Sequence, residues 1–192
     1  MIPPFDHNDV LPPYLGDNPA IGGALSPYRT DIMEFCNRFA TSRERIEILK
    51  GFVQFRLDCI RFGVRYGFQW IDGSFIEDIE KSDKRAPRDI DVVTFVFQLT
   101  NVQQQVISRQ FLPFVNPKAS KKVYNVDHYP VVADGNPLAT INMVKYWNQL
   151  FGHNRKGVWK GMVEIPLCAD GQADTEALNY LNNDALSNLK TL

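Results

Sequence analysis

Cysteine is scarce in this sequence, and its few cysteines form no pattern. Cys36, Cys59 and Cys168 are an odd number of widely spaced residues, and no C-x-x-C pair is present. Such a set supports neither a disulfide framework nor the paired thiolates of a structural zinc site. We therefore expect free, buried thiols in a reducing compartment.

The sequence also lacks long apolar stretches and a strong net charge. No segment reaches the ~20 apolar residues of a transmembrane helix, and the N-terminal residues lack the basic and apolar regions of a signal peptide. The formal net charge of −1 gives no general attraction to nucleic acid or anionic lipid. We expect a cytoplasmic protein without membrane contact, in which any phosphate binding is local.

Internal repeats and low-complexity tracts are absent, and the composition is that of a globular protein. Of the 192 residues, 44% are hydrophobic and 12% are aromatic, which is enough for a sizeable core. We expect a single domain over residues 1–192. Its predicted segments are an extended arm rich in proline and glycine (1–25), N-terminal helices (26–62), a core of strands and helices (63–132), and C-terminal helices with one strand (133–192).

Local signals place helices before the core. The apolar residues of the arm predict that it packs on the domain surface. Ser26 followed by Pro27 predicts a helix start, with serine as the cap. The capping-box spacing of Thr41 and Glu44 predicts a second helix, which ends near Gly63.

Two predicted strands flank a Gly-Ser turn and a polar connection. Residues 68–71 predict a strand that runs into Asp72–Ser74, and residues 90–96 predict a second strand. Because side chains alternate along a strand, Asp89 and Asp91 lie on one face, close enough to share a divalent cation. Two carboxylates held side by side repel each other and favour a metal ion.

A third acid follows in the next predicted strand, residues 121–132. Asp127 lies inside this segment, where an unpaired charge is costly and a metal ion would offset the cost. Asp134, in a predicted turn beyond the strand, is the alternative third acid. His128 points to the face opposite Asp127, so we expect a packed or surface histidine there and not a catalytic one.

This order of strand, Gly-Ser turn, charged connection and Asp-x-Asp strand resembles the nucleotidyltransferase superfamily. Its catalytic core is shared by DNA polymerase beta, the nucleotide-adding enzymes of tRNA and small toxin-type transferases. The resemblance makes residues 63–132 the catalytic core. It implies an α+β fold in which a small mixed β-sheet is flanked by helices.

The resemblance also implies roles for individual residues. Gly73 and Ser74 would contact the β and γ phosphates of a nucleoside triphosphate. The three acids would be the catalytic residues and would bind one or two Mg²⁺ ions, or Mn²⁺; they are Asp89, Asp91 and Asp127. Phosphoryl transfer relies on positioning and on metal ions that neutralise charge, which suits these residue types.

The connection between the two strands adds candidate phosphate contacts. Lys84 and Arg88 are placed to hold a triphosphate or a nucleic-acid acceptor, although a solvated loop of mixed sign explains the same residues. The longer order of motifs is similar to a bacterial family of small, uncharacterised nucleotidyltransferase-like proteins. That similarity draws attention to Arg43, Arg45 and Lys160.

Two functions remain open at this point. The first is a Mg²⁺-dependent transferase that moves a nucleoside monophosphate from an NTP to a hydroxyl of RNA, tRNA, protein or a small molecule. A toxin–antitoxin or phage-defence setting would suit such an enzyme. The second is an inactive module of the same fold that senses a nucleotide or binds a protein. The arm and an amphipathic terminal helix from Asp174 are the candidate surfaces for a partner or a second copy.

Overall fold

The computed structural model describes residues 1–20 and 25–189, in which an open mixed sheet packs against helices. The strands are β1 (Tyr28–Arg29), β2 (Tyr66–Asp72), β3 (Ile90–Phe97), β4 (Val126–Val132) and β5 (Val163–Pro166). The helices are α1 (Ile32–Phe39), α2 (Arg43–Arg61), α3 (Ile79–Ser82), α4 (Asn101–Gln110), α5 (Leu112–Val115), α6 (Pro117–Tyr124), α7 (Pro137–Phe151), α8 (Gln172–Asn183) and α9 (Ala185–Asn188). The predicted α+β class, with a mixed sheet and flanking helices, is confirmed.

The order of the strands determines which chain ends meet. Across the sheet the order is β1-β5-β2-β3-β4. β2 runs antiparallel to both β5 and β3, whereas β3 and β4 are parallel and are joined through α4, α5 and α6. The end of β2 and the starts of β3 and β4 therefore lie at the same edge of the sheet.

The long helix α2 forms much of the core. It begins one residue later than the capping-box signal predicted, because the Ser42 hydroxyl, and not that of Thr41, accepts from Arg45 N at 3.2 Å. Its apolar side recurs at helical spacing and is buried, with Phe52 completely enclosed. None of the helices in the described ranges combines the length and hydrophobicity that a membrane crossing requires.

A chain of buried polar side chains crosses the sheet face beneath α2. Arg56 donates to the Asp174 carboxylate and, at 2.6 Å, to Gln69 Oε1. Gln69 Nε2 donates to Thr94 Oγ1 at 3.0 Å, and Thr94 Oγ1 lies 2.8 Å from His128 Nε2. His128 Nδ1 lies 2.9 Å from a backbone carbonyl of α5, so Nδ1 carries the proton and Thr94 donates to Nε2. Burial lowers the pKa of His128 to about 3, so of the two expected alternatives, packed or surface, the packed histidine is the one found.

The helix predicted from Ser26-Pro27 is wrong over its first residues. The Ser26–Pro27 peptide bond is cis, and the chain then forms β1 beside β5, where Thr30 N donates to Glu164 O at 3.0 Å. α1 begins after Asp31, whose side chain accepts from Glu34 N at 2.7 Å. The serine-proline signal is local, whereas the pairing that overrides it comes from a strand far along the chain.

The strand predicted over residues 121–132 is also wrong in its first part, which belongs to α6. Asn116 caps this helix, since its side chain accepts hydrogen bonds from Lys118 N and Ala119 N. Pro117 occupies the first helical position. Asn125, with φ of 57°, ends the helix in the left-handed conformation before β4 begins. The strand therefore begins only at Val126.

The arm packs on the domain, as its apolar residues predicted. Leu11 is completely buried, and its carbonyl accepts from Gly161 N at 2.8 Å. Asp78 N donates to Asp9 O, also at 2.8 Å. The arm therefore ties the segment that follows the Gly-Ser turn to the segment before β5. Residues 21–24 of the predicted arm lie outside the described residues.

The terminal helix and the thiols largely match expectation. The predicted amphipathic helix is present as α8 and α9, with Leu181 completely buried. All three cysteines are free; Cys36 and Cys59 are buried, whereas Cys168 is half-buried. Burial raises the pKa of the Cys36 thiol to about 12, so this residue is an inert packing group.

Candidate functional site

Aspartates on three neighbouring strands lie side by side at one edge of the sheet. Asp72 of β2 pairs with Asp91 of β3, and Asp91 pairs in turn with Asp127 of β4. Paired residues on adjacent strands project from the same face, and Asp89, two residues before Asp91, shares that face. The structure therefore brings Asp89, Asp91 and Asp127 together and adds Asp72, which the sequence had marked only as the end of a strand.

The Gly-Ser turn lies directly against these acids. Gly73 has φ of 83°, a conformation that residues with a side chain rarely adopt. A Cβ on this residue would overlap Asp91 Oδ2 and stand 2.9 Å from Asp91 Cγ. Ser74 begins a single 3-10 turn, and its half-buried hydroxyl makes no hydrogen bond within the described residues. The turn therefore leaves an open backbone and a free hydroxyl donor beside the carboxylates.

The acids repel one another strongly. Burial raises the pKa of Asp91 to about 7, and the negative charges of Asp89, Asp72 and Asp127 act in the same direction, against the attraction of Lys160. Burial also raises the pKa of Asp72 to about 6, again opposed by Lys160. Such a cluster is relieved by binding a proton or a cation.

Lys160 is a buried cation that joins the Gly-Ser turn to the strand end. Its side chain is 1% exposed, and Nζ lies 2.9 Å from Asp72 Oδ1 and 2.6 Å from Glu77 Oε1. Nζ also donates to Gly73 O at 3.2 Å. Three oxygens on both sides of the turn therefore surround one ammonium group, which fixes the position of Gly73.

Lys121 is a second cation at the site, and the sequence analysis did not identify it. Its Nζ contacts the Asp89 carboxylate and lies 3.9 Å from Asp127 Oδ2. These contacts place the two acids within the ~8 Å that bridging metal ions can span. Lys121 was missed because its segment was predicted to be a strand; the cap formed by Asn116 and Pro117 was the available signal for a helix.

The other candidates lie outside the cluster. Lys84 and Arg88 are exposed and make no ion pair within the described residues. Both belong to the loop that leads into β3, and Arg88 directly precedes Asp89 in the sequence. Asp134 follows the far end of β4, where its Oδ2 accepts from Gln98 N at 2.7 Å. The structure therefore places the alternative third acid at the opposite edge of the sheet.

Arg45, noted for its similarity to a family position, is a structural residue. It is buried, and its guanidinium donates to Phe75 O at 2.5 Å, to Glu77 O at 2.7 Å and to the Glu80 carboxylate. These bonds hold the loop that follows the Gly-Ser turn. Arg43, at the start of the same helix, is exposed.

The donor chemistry of the cluster suits a hard cation. Carboxylate oxygens are the ligands that Mg²⁺ and Mn²⁺ prefer, and the cluster offers them on adjacent strands. In the described part of the chain, however, no three His, Cys, Asp or Glu side chains are gathered as a metal-ligating group. The ammonium of Lys121 contacts two of the carboxylates that would have to converge.

Comparison with known proteins identifies a family without assigning a function. Residues 3–166 match the family of unknown function DUF6932, and the chain belongs to this family. Neither the curated proteins nor the solved structures contain a significant match. The matched range includes the Gly-Ser turn, all four aspartates and both lysines of the site.

Proposed function

We propose that this protein is a Mg²⁺-dependent nucleotidyltransferase that moves a nucleoside monophosphate from an NTP to an acceptor hydroxyl. The observation that carries the proposal is the shared register of Asp72, Asp91 and Asp127 beside the glycine turn. A fold alone does not determine function, so the argument depends on the chemistry of these side chains.

The arrangement suits the binding of a metal–triphosphate. Asp89, Asp91 and Asp127 would hold the metal, because they share one face of the sheet and the negative charges of Asp89 and Asp127 help to raise the pKa of Asp91, which favours a cation. The bare backbone at Gly73 would allow a phosphate to approach closely, and the Ser74 hydroxyl would donate to it. Bound Mg²⁺ would neutralise the charge that develops on the phosphoryl oxygens.

The reaction is a single displacement at phosphorus. The oxygen of the acceptor hydroxyl forms a bond to the α-phosphorus, the bond from that phosphorus to the bridging oxygen breaks, and pyrophosphate leaves. Asp127, half-buried on the edge strand β4, would accept the proton of the hydroxyl. Lys160 would keep the turn in place from beneath, since its ammonium holds Gly73 O and Asp72.

A second candidate is a nucleotide-sensing module that does not catalyse transfer. The ion pair of Lys121 with Asp89 favours it, because an ammonium already neutralises part of the charge that a metal would satisfy. Such a module would bind an NTP but would release no pyrophosphate.

The test is transfer of label from NTPs labelled at the α-phosphate. The protein is incubated with each of the four NTPs, with Mg²⁺ or Mn²⁺, and with total cellular RNA, total protein or a set of small hydroxyl compounds. We expect label on one acceptor class and an equal yield of pyrophosphate. Asp91→Asn should abolish both signals, whereas Asp134→Asn, at the far edge, should keep them. Nucleotide binding without pyrophosphate release under every condition would instead establish the sensing module.

A further inference from the structure

Lys121 combines a firmly packed helix backbone with a solvent-exposed side chain. Its helix α6 is held by close packing on α2, where a Cβ on Gly51 would overlap the carbonyl of Tyr124. The Tyr124 hydroxyl donates to Asp58 Oδ2 at 2.7 Å, and the side chain of Ser120 is completely buried. The side chain of Lys121 is nevertheless 52% exposed. Only its ammonium reaches the acids, so it can move without any change in the fold.

The two lysines of the site differ in how firmly they are held. Lys160 is 1% exposed and lies among Asp72, Glu77 and the Gly73 carbonyl, so it is a permanent part of the turn. Lys121 is half in solvent, and its only ion pairs with described residues are those with Asp89 and Asp127. An ion pair with one solvent-exposed partner is weaker than a fully buried one, because water competes for the exposed ammonium. Lys121 is therefore the cation that an entering metal ion would displace.

Displacement would leave a flexible ammonium at the rim of the acid cluster. Its three N–H donors would stand next to the position that a metal-bound triphosphate occupies. Lysine suits this role because its long side chain reaches several positions. Its ammonium can donate to phosphate oxygens in any orientation. Among the described residues, no other side chain of α6 forms an ion pair or hydrogen bond with the acids. Lys122, the next residue, is exposed and makes no ion pair there.

We propose that Lys121 is an exchangeable counter-ion of the site. In the metal-free protein it holds Asp89 and Asp127; a divalent cation displaces it, and it then binds a phosphate of the nucleotide that enters with the metal. The first half concerns metal binding alone, whereas the second half rests on the proposed nucleotide-binding function. Metal and nucleotide binding are thereby coupled through one side chain.

The experiment compares Lys121→Met with Lys122→Met, the matched control on the same helix. Binding of Mn²⁺ to the protein without nucleotide is measured by electron paramagnetic resonance. We expect Lys121→Met to bind Mn²⁺ about tenfold more tightly than the wild type, since a competing unit charge in contact with the ligands has been removed. The control should bind like the wild type. Equal Mn²⁺ affinity of Lys121→Met and wild type would overturn the exchange.

A second measurement tests the phosphate contact. Binding of a non-hydrolysable nucleoside triphosphate is measured by calorimetry at saturating Mg²⁺. We expect Lys121→Met to bind it about tenfold more weakly, in the opposite direction to the metal effect. Tighter Mn²⁺ binding with unchanged nucleotide affinity would reduce Lys121 to a static counter-ion and overturn the coupling. Because the Mn²⁺ measurement needs no nucleotide, it supports the exchange even in a protein that fails to transfer nucleotides.

Discussion

Gly73 lies so close to Asp91 that no side chain fits between them. A Cβ on residue 73 would overlap Asp91 Oδ2 and stand 2.9 Å from Asp91 Cγ. Lys160 donates to the Gly73 carbonyl at 3.2 Å from the other side. The turn is thus positioned between a carboxylate and an ammonium group, and its glycine is required by both conformation and space.

Gly73→Ala should therefore be more damaging than an alanine at another glycine with a similar positive φ. Gly157 has φ of 76° but has nothing within 4 Å of an added Cβ, so Gly157→Ala reports the conformational cost alone, about 1 kcal/mol. We expect Gly73→Ala to lose at least ~1 kcal/mol more, because Asp91 must move, and to lose nucleotide transfer. Urea unfolding and the transfer assay measure the two effects. Equal stability of the two variants would show that the Asp91 side chain moves aside without a measurable loss of stability, contrary to this prediction.

Asp91→Asn should stabilise the protein at alkaline pH and remove its activity. The pKa of Asp91 is about 7 in the folded protein against 3.8 as the ordinary value, so the folded state binds the proton more tightly. The protonated Asp91 therefore contributes its full stabilisation below pH ~4. As the pH rises to 7 this contribution is lost, and the free energy of unfolding falls by up to about 1.4 kcal/mol per pH unit. The asparagine variant does not suffer this decline.

The measurement is urea unfolding of both proteins in a chelator at pH 4 and at pH 8. We expect the variant to gain about 1–3 kcal/mol over the wild type at pH 8 and little at pH 4. Asp134→Asn, which removes an acid from the opposite edge, is the control for the loss of a carboxylate outside the cluster. The same difference at both pH values would contradict the raised pKa of Asp91.

The sequence was sufficient for the strand pair but not for the full site. The apolar runs on either side of Gly73 and the Asp-x-Asp spacing predicted β2, β3 and the shared face of Asp89 and Asp91, because these signals are local. The pairing of Asp72 with Asp91 depends on the register between β2 and β3. The long connection between these two strands does not determine that register. The sequence alone therefore did not predict that Asp72 belongs to the acid cluster.

Prediction failed where one local signal had two meanings. Asn116-Pro117 both ends one helix and begins the next, and only the first meaning was used in the prediction, so Lys121 was placed on a strand. Ser26-Pro27 predicted a helix cap, but backbone pairing with β5 decided its conformation. Burial of Lys160 was likewise unpredictable, because its partners Asp72 and Glu77 come from a distant part of the chain.

Asp127→Asn and Asp134→Asn distinguish the two acids that the sequence offered for the third position. Asp127 of β4 pairs with Asp91 of β3, whereas the carboxylate of Asp134 accepts a hydrogen bond from Gln98 N. We expect 5 mM Mg²⁺, about 100 times a Kd on the order of 50 μM, to stabilise the wild type and Asp134→Asn by ~2–3 kcal/mol at pH 8. Asp127→Asn should lose most of this gain, because a ligand is missing. Thermal unfolding with and without Mg²⁺ measures it, and an undiminished gain in Asp127→Asn would exclude this residue as a ligand.

Thr94→Val should destabilise the fold and leave the acid edge intact. The Thr94 hydroxyl accepts from Gln69 Nε2 at 3.0 Å and donates to His128 Nε2, so valine leaves two buried polar atoms without partners. Each such atom costs about 1–3 kcal/mol. Thr94→Ser keeps the hydroxyl and removes one methyl group, which costs about 1 kcal/mol. We expect urea unfolding to show a loss for valine at least twice that for serine. Mn²⁺ binding should be unchanged in both, because Thr94 projects from the sheet face opposite Asp91; weaker Mn²⁺ binding in folded Thr94→Val would show that the polar chain also positions the acids.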